Sequence, residues 1–125
     1  MDIEKLGKLR ILYVEDEINL RETTVLSLNA IVKYIDVASN GKEGLEKFNH
    51  NEYDIIITDL SMPVMDGIEM IKNIRKLDNN IPIVVTTAFG SQNEEIEQLQ
   101  NVGMSEYLIK PIDMIKLVTV IEDLT

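Results

Sequence analysis

The chain has 125 residues, no cysteine and a formal net charge of −10, with 45% hydrophobic and 27% charged residues. That length suits one domain, here taken as 1–125 with a core from about 9 to 124, and it buries roughly two-thirds of the unfolded surface. The lack of cysteine excludes a disulfide framework and a thiolate metal site, and the acidic balance argues against direct nucleic-acid binding by this chain and against an anionic membrane surface. An acidic surface that merely confers solubility is the plain alternative. No apolar run approaches the ~20 residues of a membrane span, and Met1 to Arg10 carries no basic-then-apolar leader, so the expected location is cytoplasmic.

Leu9 to Val14 is a short apolar run that reads as a buried strand. Leu20, Thr24, Leu28 and Ile31 then recur at helical spacing. Tyr34 to Ala38 is a second, weaker strand, and the helix after it turns Leu45 and Phe48 inward. Tyr53 to Thr58, with three consecutive isoleucines, is the clearest strand. Ile68, Ile71, Ile74 and Leu77 mark the third helix. Ile81 to Thr86 is a strand entered through Pro82, Ile96 and Leu99 line a fourth helix, Glu106 to Ile109 is a fifth strand, and Ile115, Val118, Ile121 and Leu124 share a face of the last helix. The pairs Asn40/Glu43, Asp66/Glu69 and Ser91/Glu94 have the spacing of capping boxes, and Gly103 stands where a helix end wants positive φ.

Five strand–helix units imply an α/β fold, a doubly wound five-stranded parallel sheet with helices on both faces and flavodoxin-like order 2-1-3-4-5. There is no internal repeat or linker. The chain stops with its last helix, so no output domain is expected within it.

Ligands bind such sheets beyond the carboxyl ends of the strands. There the sequence places Glu15, Asp16 and Glu17 after the first strand, Asp59 after the third, Thr86-Thr87-Ala88 at the end of the fourth, and Lys110-Pro111 after the fifth. Glu15, Asp16 and Asp59 should therefore share a pocket with Thr87 and Lys110 on its rim. Alone, Glu15 to Glu17 reads equally as a solvated turn capping a helix, and Asp59 as a turn or cap residue. Carboxylates ~4 Å apart repel by about 4 kcal/mol at an effective dielectric near 20. Convergence therefore calls for a hard cation such as Mg²⁺, with Lys110 as a further positive charge. An aspartate can form an acyl phosphate as a nucleophile, and such a site would neutralise the equatorial oxygens with the metal, Lys110 and the Thr87 hydroxyl.

The segments Ile11 to Glu17, Thr58 to Gly67, Val84 to Ala88 and Tyr107 to Pro111 resemble the four signature segments of response-regulator receiver domains of bacterial two-component systems. The likeness runs from about Leu9 to Leu124. The resemblance implies Asp59 as phosphoacceptor, with Glu15, Asp16, Asp59 and the backbone carbonyl of Ser61 around Mg²⁺. Glu stands in place of Asp at position 15, a variant that implies contact with the metal through water, with Asp16 as the direct ligand. It also implies Thr87 as switch hydroxyl, Tyr107 as switch aromatic, Lys110 as phosphate-binding lysine, and a cis Lys110-Pro111 bond, against a base rate of about 5–6% for X-Pro. Implied partners are a sensor histidine kinase or histidine phosphotransfer protein upstream, and an effector protein or a separate output domain downstream. The face of the fourth helix, fifth strand and last helix is the expected reporter, with homodimerisation through it left open.

Duller readings stand beside these. Pro63 and Gly67 shape the loop after Asp59 through a fixed and a permissive φ. Met62, Met65 and Met70 are packing residues, His50 is solvent-exposed and inert, and Phe89 stands where it could shape water access. Three rivals remain. A Mg²⁺-dependent aspartyl phosphatase would want a second Asp where Ser61 stands. A flavin carrier would want a glycine-rich loop where Glu15 to Glu17 stand. A receiver-like scaffold would have no need of the set Asp16, Asp59, Thr87 and Lys110.

Overall fold

The structure, a computed structural model, describes residues 1–88 and 93–125. Eleven elements follow in order. They are α1 (Ile3–Lys8), β1 (Arg10–Val14), α2 (Ile18–Leu28), β2 (Tyr34–Ala38), α3 (Gly41–His50) and β3 (Ile55–Asp59), followed by α4 (Gly67–Leu77), β4 (Ile83–Thr87), α5 (Asn93–Val102), β5 (Glu106–Ile109) and α6 (Met114–Leu124). All five strands are parallel in the order β2-β1-β3-β4-β5, as the alternation of short apolar runs and helical periods predicts.

The sheet is covered on both faces because β1, β3 and β4 are apolar on both sides of the pleat. Ile11, Tyr13, Ile55, Ile57 and Val84 face Leu28 of α2 and Leu117, Val118 and Ile121 of α6. Leu12, Val14, Ile56, Ile83 and Val85 face Met70, Ile71 and Ile74 of α4 and Leu99 of α5. Each half of the core is a dozen buried residues, so removal from water acts on both faces of the sheet alike.

The caps explain where most helices start. Glu43 N donates to Asn40 Oδ1 at 2.9 Å, while Glu43 Oε2 accepts from the Ser39 amide and hydroxyl at 3.1 and 2.7 Å. The return half of this box thus reaches Ser39 and not Asn40. Asp66 Oδ1 accepts from Glu69 N at 2.9 Å. The proposed pair Ser91/Glu94 and the residue Phe89 lie outside the described residues. Gly103 ends α5 with φ of 100°, and Met104 N donates to Leu99 O at 3.1 Å, the closure expected of a left-handed cap.

Sequence reading missed α1. Its six residues are short for a helical period, but Asp2 caps it, Leu6 is buried in the α2–α6 side of the core, and Lys5 Nζ donates to Glu122 O near the end of α6. Burial of one leucine and a capped first turn hold a helix too short to persist alone. Strand bounds also move. β1 starts at Arg10, β3 runs from Ile55 to Asp59 and β4 from Ile83 to Thr87, so Asp59 and Thr87 are strand ends rather than loop residues. Among the described residues no helix is long and apolar enough to cross a membrane.

Candidate functional site

The register decides what meets at the carboxyl edge. Val14 pairs with Thr58, Asp59 with Thr86, and Thr87 with Ile109. The ladder is prolonged one residue at each side: Glu15 N donates to Ala38 O at 2.9 Å and Lys110 N to Thr87 O at 2.8 Å. Glu15, Asp59, Thr87 and Lys110 are therefore all set by strand hydrogen bonds.

Lys110 Nζ lies 3.0 Å from Glu15 Oε1 and 3.2 Å from Asp59 Oδ2, bridging the two carboxylates. Glu15 is fully buried, and its second oxygen accepts from Glu17 N at 3.2 Å. Arg21 Nη1 donates to the Glu15 carbonyl at 2.7 Å and fixes the turn. Asp59 is 7% exposed, and its Oδ1 accepts from Leu60 N at 2.8 Å. Asp16, next in the chain, is exposed. One carboxylate oxygen from each of Glu15, Asp16 and Asp59 falls within 4.8 Å of the others.

Burial raises the Glu15 carboxyl above its ordinary range, with the Asp59 charge adding and the Lys110 hydrogen bond opposing. Burial by itself pulls the Lys110 ammonium down, but the Glu15 hydrogen bond and the Asp59 charge outweigh it and leave the pKa raised. The lysine is thus held cationic by the acids it bridges.

A cleft of about 220 Å³ opens beside Asp59, walled by Leu60, Ser61, Thr87, Ala88, Glu95 and Lys110. Ser61, expected to offer its carbonyl, stands on this wall. Tyr107 pairs with Val85, two residues below Thr87 on the same pleat face, and is half-buried among the side chains of the α4–α5 side of the core. Glu95 was not foreseen. It lies on a helix with no motif around it, and only the folding of α5 over the end of β4 brings it to the cleft.

The loop after Asp59 corrects one expectation. Gly67 serves space and not a permissive φ. A Cβ there would stand 2.5 Å from the Asp59 carbonyl oxygen and 3.2 Å from Leu60 Cα, and Gly67 N donates to Leu60 O at 2.9 Å. The left-handed residue of the loop is Val64, with φ of 70°. Met65 N closes on Pro63 O at 2.8 Å around it. Gly41 has the same need of space against the Met65 carbonyl, 2.5 Å from an ideal Cβ, which ties the loop to α3. Met70 is fully buried, Met62 and Met65 are half-buried against the same core, and His50 is exposed. The Lys110-Pro111 bond is cis.

All three donors of the acidic group are carboxylate oxygens, the donor type of a hard divalent cation. An octahedral Mg²⁺ with oxygens at ~2.0–2.1 Å separates opposite ligands by about 4.1 Å. The 4.8 Å spread therefore lies within a small closing movement of the exposed Asp16. Both Glu15 oxygens are already engaged by protein donors, whereas Asp16 has no hydrogen bond or ion pair among the described residues. The residues fit Mg²⁺, with Asp16 the most available of the three.

The open, doubly wound parallel sheet with Glu15 and Asp59 bridged by Lys110 at its carboxyl edge makes the chain a flavodoxin-like α/β module with an acidic, lysine-bridged pocket. The chain belongs to the response regulator receiver domain family, whose model matches residues 11–122. It is 34% identical over 111 residues to a probable transcriptional regulator, ycf27, of Guillardia theta, covering 89% of this chain and 43% of that protein. It is 36% identical over 108 residues to the response regulator ArlR of Staphylococcus saprophyticus, covering 86% of this chain and 48% of that protein. The chain thus spans about half the length of these curated relatives or less. Among solved structures it superposes on the chemotaxis response regulator CheY4 of Vibrio cholerae with a TM-score of 0.84 at 28% identity, covering 94% of this chain and 98% of that one. The response regulator TrrA of Thermotoga maritima, solved in complex with Mg²⁺-BeF, gives 0.83 at 32% identity over 94% of this chain and 99% of its own.

Proposed function

We propose that this chain is one receiver unit that accepts a phosphoryl group on Asp59 in a Mg²⁺-dependent reaction and signals through the shape of its surface. The observation that carries this reading is the Lys110 ammonium bridging Glu15 and Asp59 at 3.0 and 3.2 Å beside a cleft walled by Thr87. One Asp59 carboxylate oxygen attacks the phosphorus of a phosphohistidine on a sensor kinase or phosphotransfer protein. A P–O bond forms, the P–N bond breaks, and the imidazole leaves with its electron pair and gains a proton. An ionised aspartate needs no general base. Lys110 then meets charge on the transferred group, the Thr87 hydroxyl stands where it can donate to it, and the Leu60 amide orients Asp59. Mg²⁺ held by Asp16, Asp59 and the Ser61 carbonyl, with Glu15 behind them, would supply the remaining neutralisation.

The output follows from the placement of Thr87 and Tyr107 on neighbouring strands. Movement of Thr87 toward a phosphoryl group opens room toward Tyr107, and the α5–β5–α6 face is re-formed for an effector or output domain. The chain acts on its own phosphoryl group only and turns over no other substrate. Incubation with Mg²⁺ and acetyl phosphate, read by intact mass, is the test. One added phosphoryl group is expected, lost on chelation and lost in Asp59→Ala. No addition, or addition retained in Asp59→Ala, would refute the assignment.

A further inference from the structure

We propose that Glu95 is a further determinant of the phosphorylation site, a carboxylate set in the cleft wall to oppose anion entry. The proposal rests on the assignment of Asp59 above. Glu95 is half-buried and faces the same space as Asp59, Thr87 and Lys110. No side chain of its own helix neutralises it: α5 carries Glu94, Glu95 and Glu97 and no basic residue. The nearest cation of the cleft, Lys110, is already shared by Glu15 and Asp59. Among the described residues Glu95 has neither an ion pair nor a hydrogen bond.

A cleft of about 220 Å³ is about 7.5 Å across if roughly spherical. A phosphoryl group brings about −1.5 to −2 charges into it. At that separation, even with water-like screening, one facing carboxylate lowers occupancy by a group of that charge about four- to sixfold. Glu95 therefore slows entry of phosphodonors that come without a docked partner and sets a bias toward the unphosphorylated state. Placed in the first turn of α5, it also makes the position of that helix responsive to charge on Asp59.

The test is the initial rate of acetyl phosphate labelling of the full chain with saturating Mg²⁺ at low ionic strength. Glu95→Gln keeps the shape and removes the charge. Labelling about four- to sixfold faster than wild type is expected, with the difference shrinking as salt shortens the Debye length. Glu94→Gln, an exposed neighbour on the same helix, should stay near the wild-type rate. Equal rates for Glu95→Gln and wild type would overturn the role of Glu95 while leaving Asp59 as acceptor. Equal acceleration by Glu94→Gln would also overturn it, because net charge would then suffice. A wild-type chain that takes no label at all would remove the assignment of Asp59 itself. Melting curves of both variants check that each is folded.

Discussion

Replacing Lys110 with methionine removes one charge and keeps an unbranched stem of similar reach, which isolates the electrostatic role of the bridge. In the native chain the ammonium sits between a fully buried Glu15 and an Asp59 that is 7% exposed. Without it, carboxylate oxygens within 4.8 Å of one another face each other with only backbone amides for support. At that separation and an effective dielectric near 20, the repulsion is about 3.5 kcal/mol. Partial hydration and rearrangement of the exposed Asp16 reduce it. Loss of about 2–3 kcal/mol in chelator-treated, low-salt buffer near pH 7 is expected. For a domain of this size that is a fall in Tm of about 8–12 °C. Millimolar Mg²⁺ should then raise the Tm of Lys110→Met more than that of wild type, because the ion meets an acid pair with no competing ammonium. Differential scanning calorimetry with and without Mg²⁺ measures both effects. An unchanged Tm together with an unchanged Mg²⁺ response would refute the view that Lys110 is what makes the crowded acids tolerable.

Two further predictions concern positions next to the site. Gly67→Ala places a methyl 2.5 Å from the Asp59 carbonyl, where only backbone movement makes room. Destabilisation of about 1–3 kcal/mol is expected, with slower labelling of Asp59, and denaturant titration plus intact mass check the pair of effects. Tyr13 lies fully buried beneath Glu15 on β1, and among the described residues its hydroxyl meets no hydrogen-bond partner in good geometry, the Thr24 hydroxyl being its polar neighbour. Burial pushes its pKa up to about 12, with the Glu15 and Asp59 charges adding, and the Thr24 hydroxyl and Arg21 opposing. A pKa raised on folding gives stability that is complete below the unfolded value near 10 and is lost as pH rises toward 12. Tyr13→Phe should match wild type near pH 8, or exceed it by up to ~1 kcal/mol, since it deletes an unpaired buried group. It should then gain on wild type by about 2 kcal/mol by the alkaline end of the range. Urea titrations from pH 8 to pH 11.5 show this, and parallel curves for the two proteins would contradict it.

Much of the fold is a matter of local pattern. The apolar runs at Leu9 to Val14 and Tyr53 to Thr58 are buried strands because both faces of a parallel sheet are covered, and that burial writes itself into the chain as continuous apolar residues. Asn40, Asp66 and Gly103 cap or close their helices through bonds that span three to five residues, a distance at which sequence spacing is geometry. The site was legible for the same reason one level up: Glu15, Asp59, Thr87 and Lys110 each continue or end a strand, and a parallel sheet gathers strand ends at one edge.

What local pattern leaves open is whatever depends on a partner distant in the chain. The helix α1 is too short to declare itself and exists because Leu6 finds the core and Lys5 finds the end of α6. The need for glycine at 67 reads in the sequence as freedom of φ, yet it is the approach of the Asp59 carbonyl that requires it, while Val64 takes the positive φ. The bridging position of Lys110 and the presence of Glu95 in the cleft follow from distances between elements up to 95 residues apart. The order of residues therefore determined which side chains could do chemistry. Only the packing of helices against the sheet decided which of them share a charge, because electrostatic coupling depends on separation in space and on burial, and neither is a property of the chain read one residue at a time.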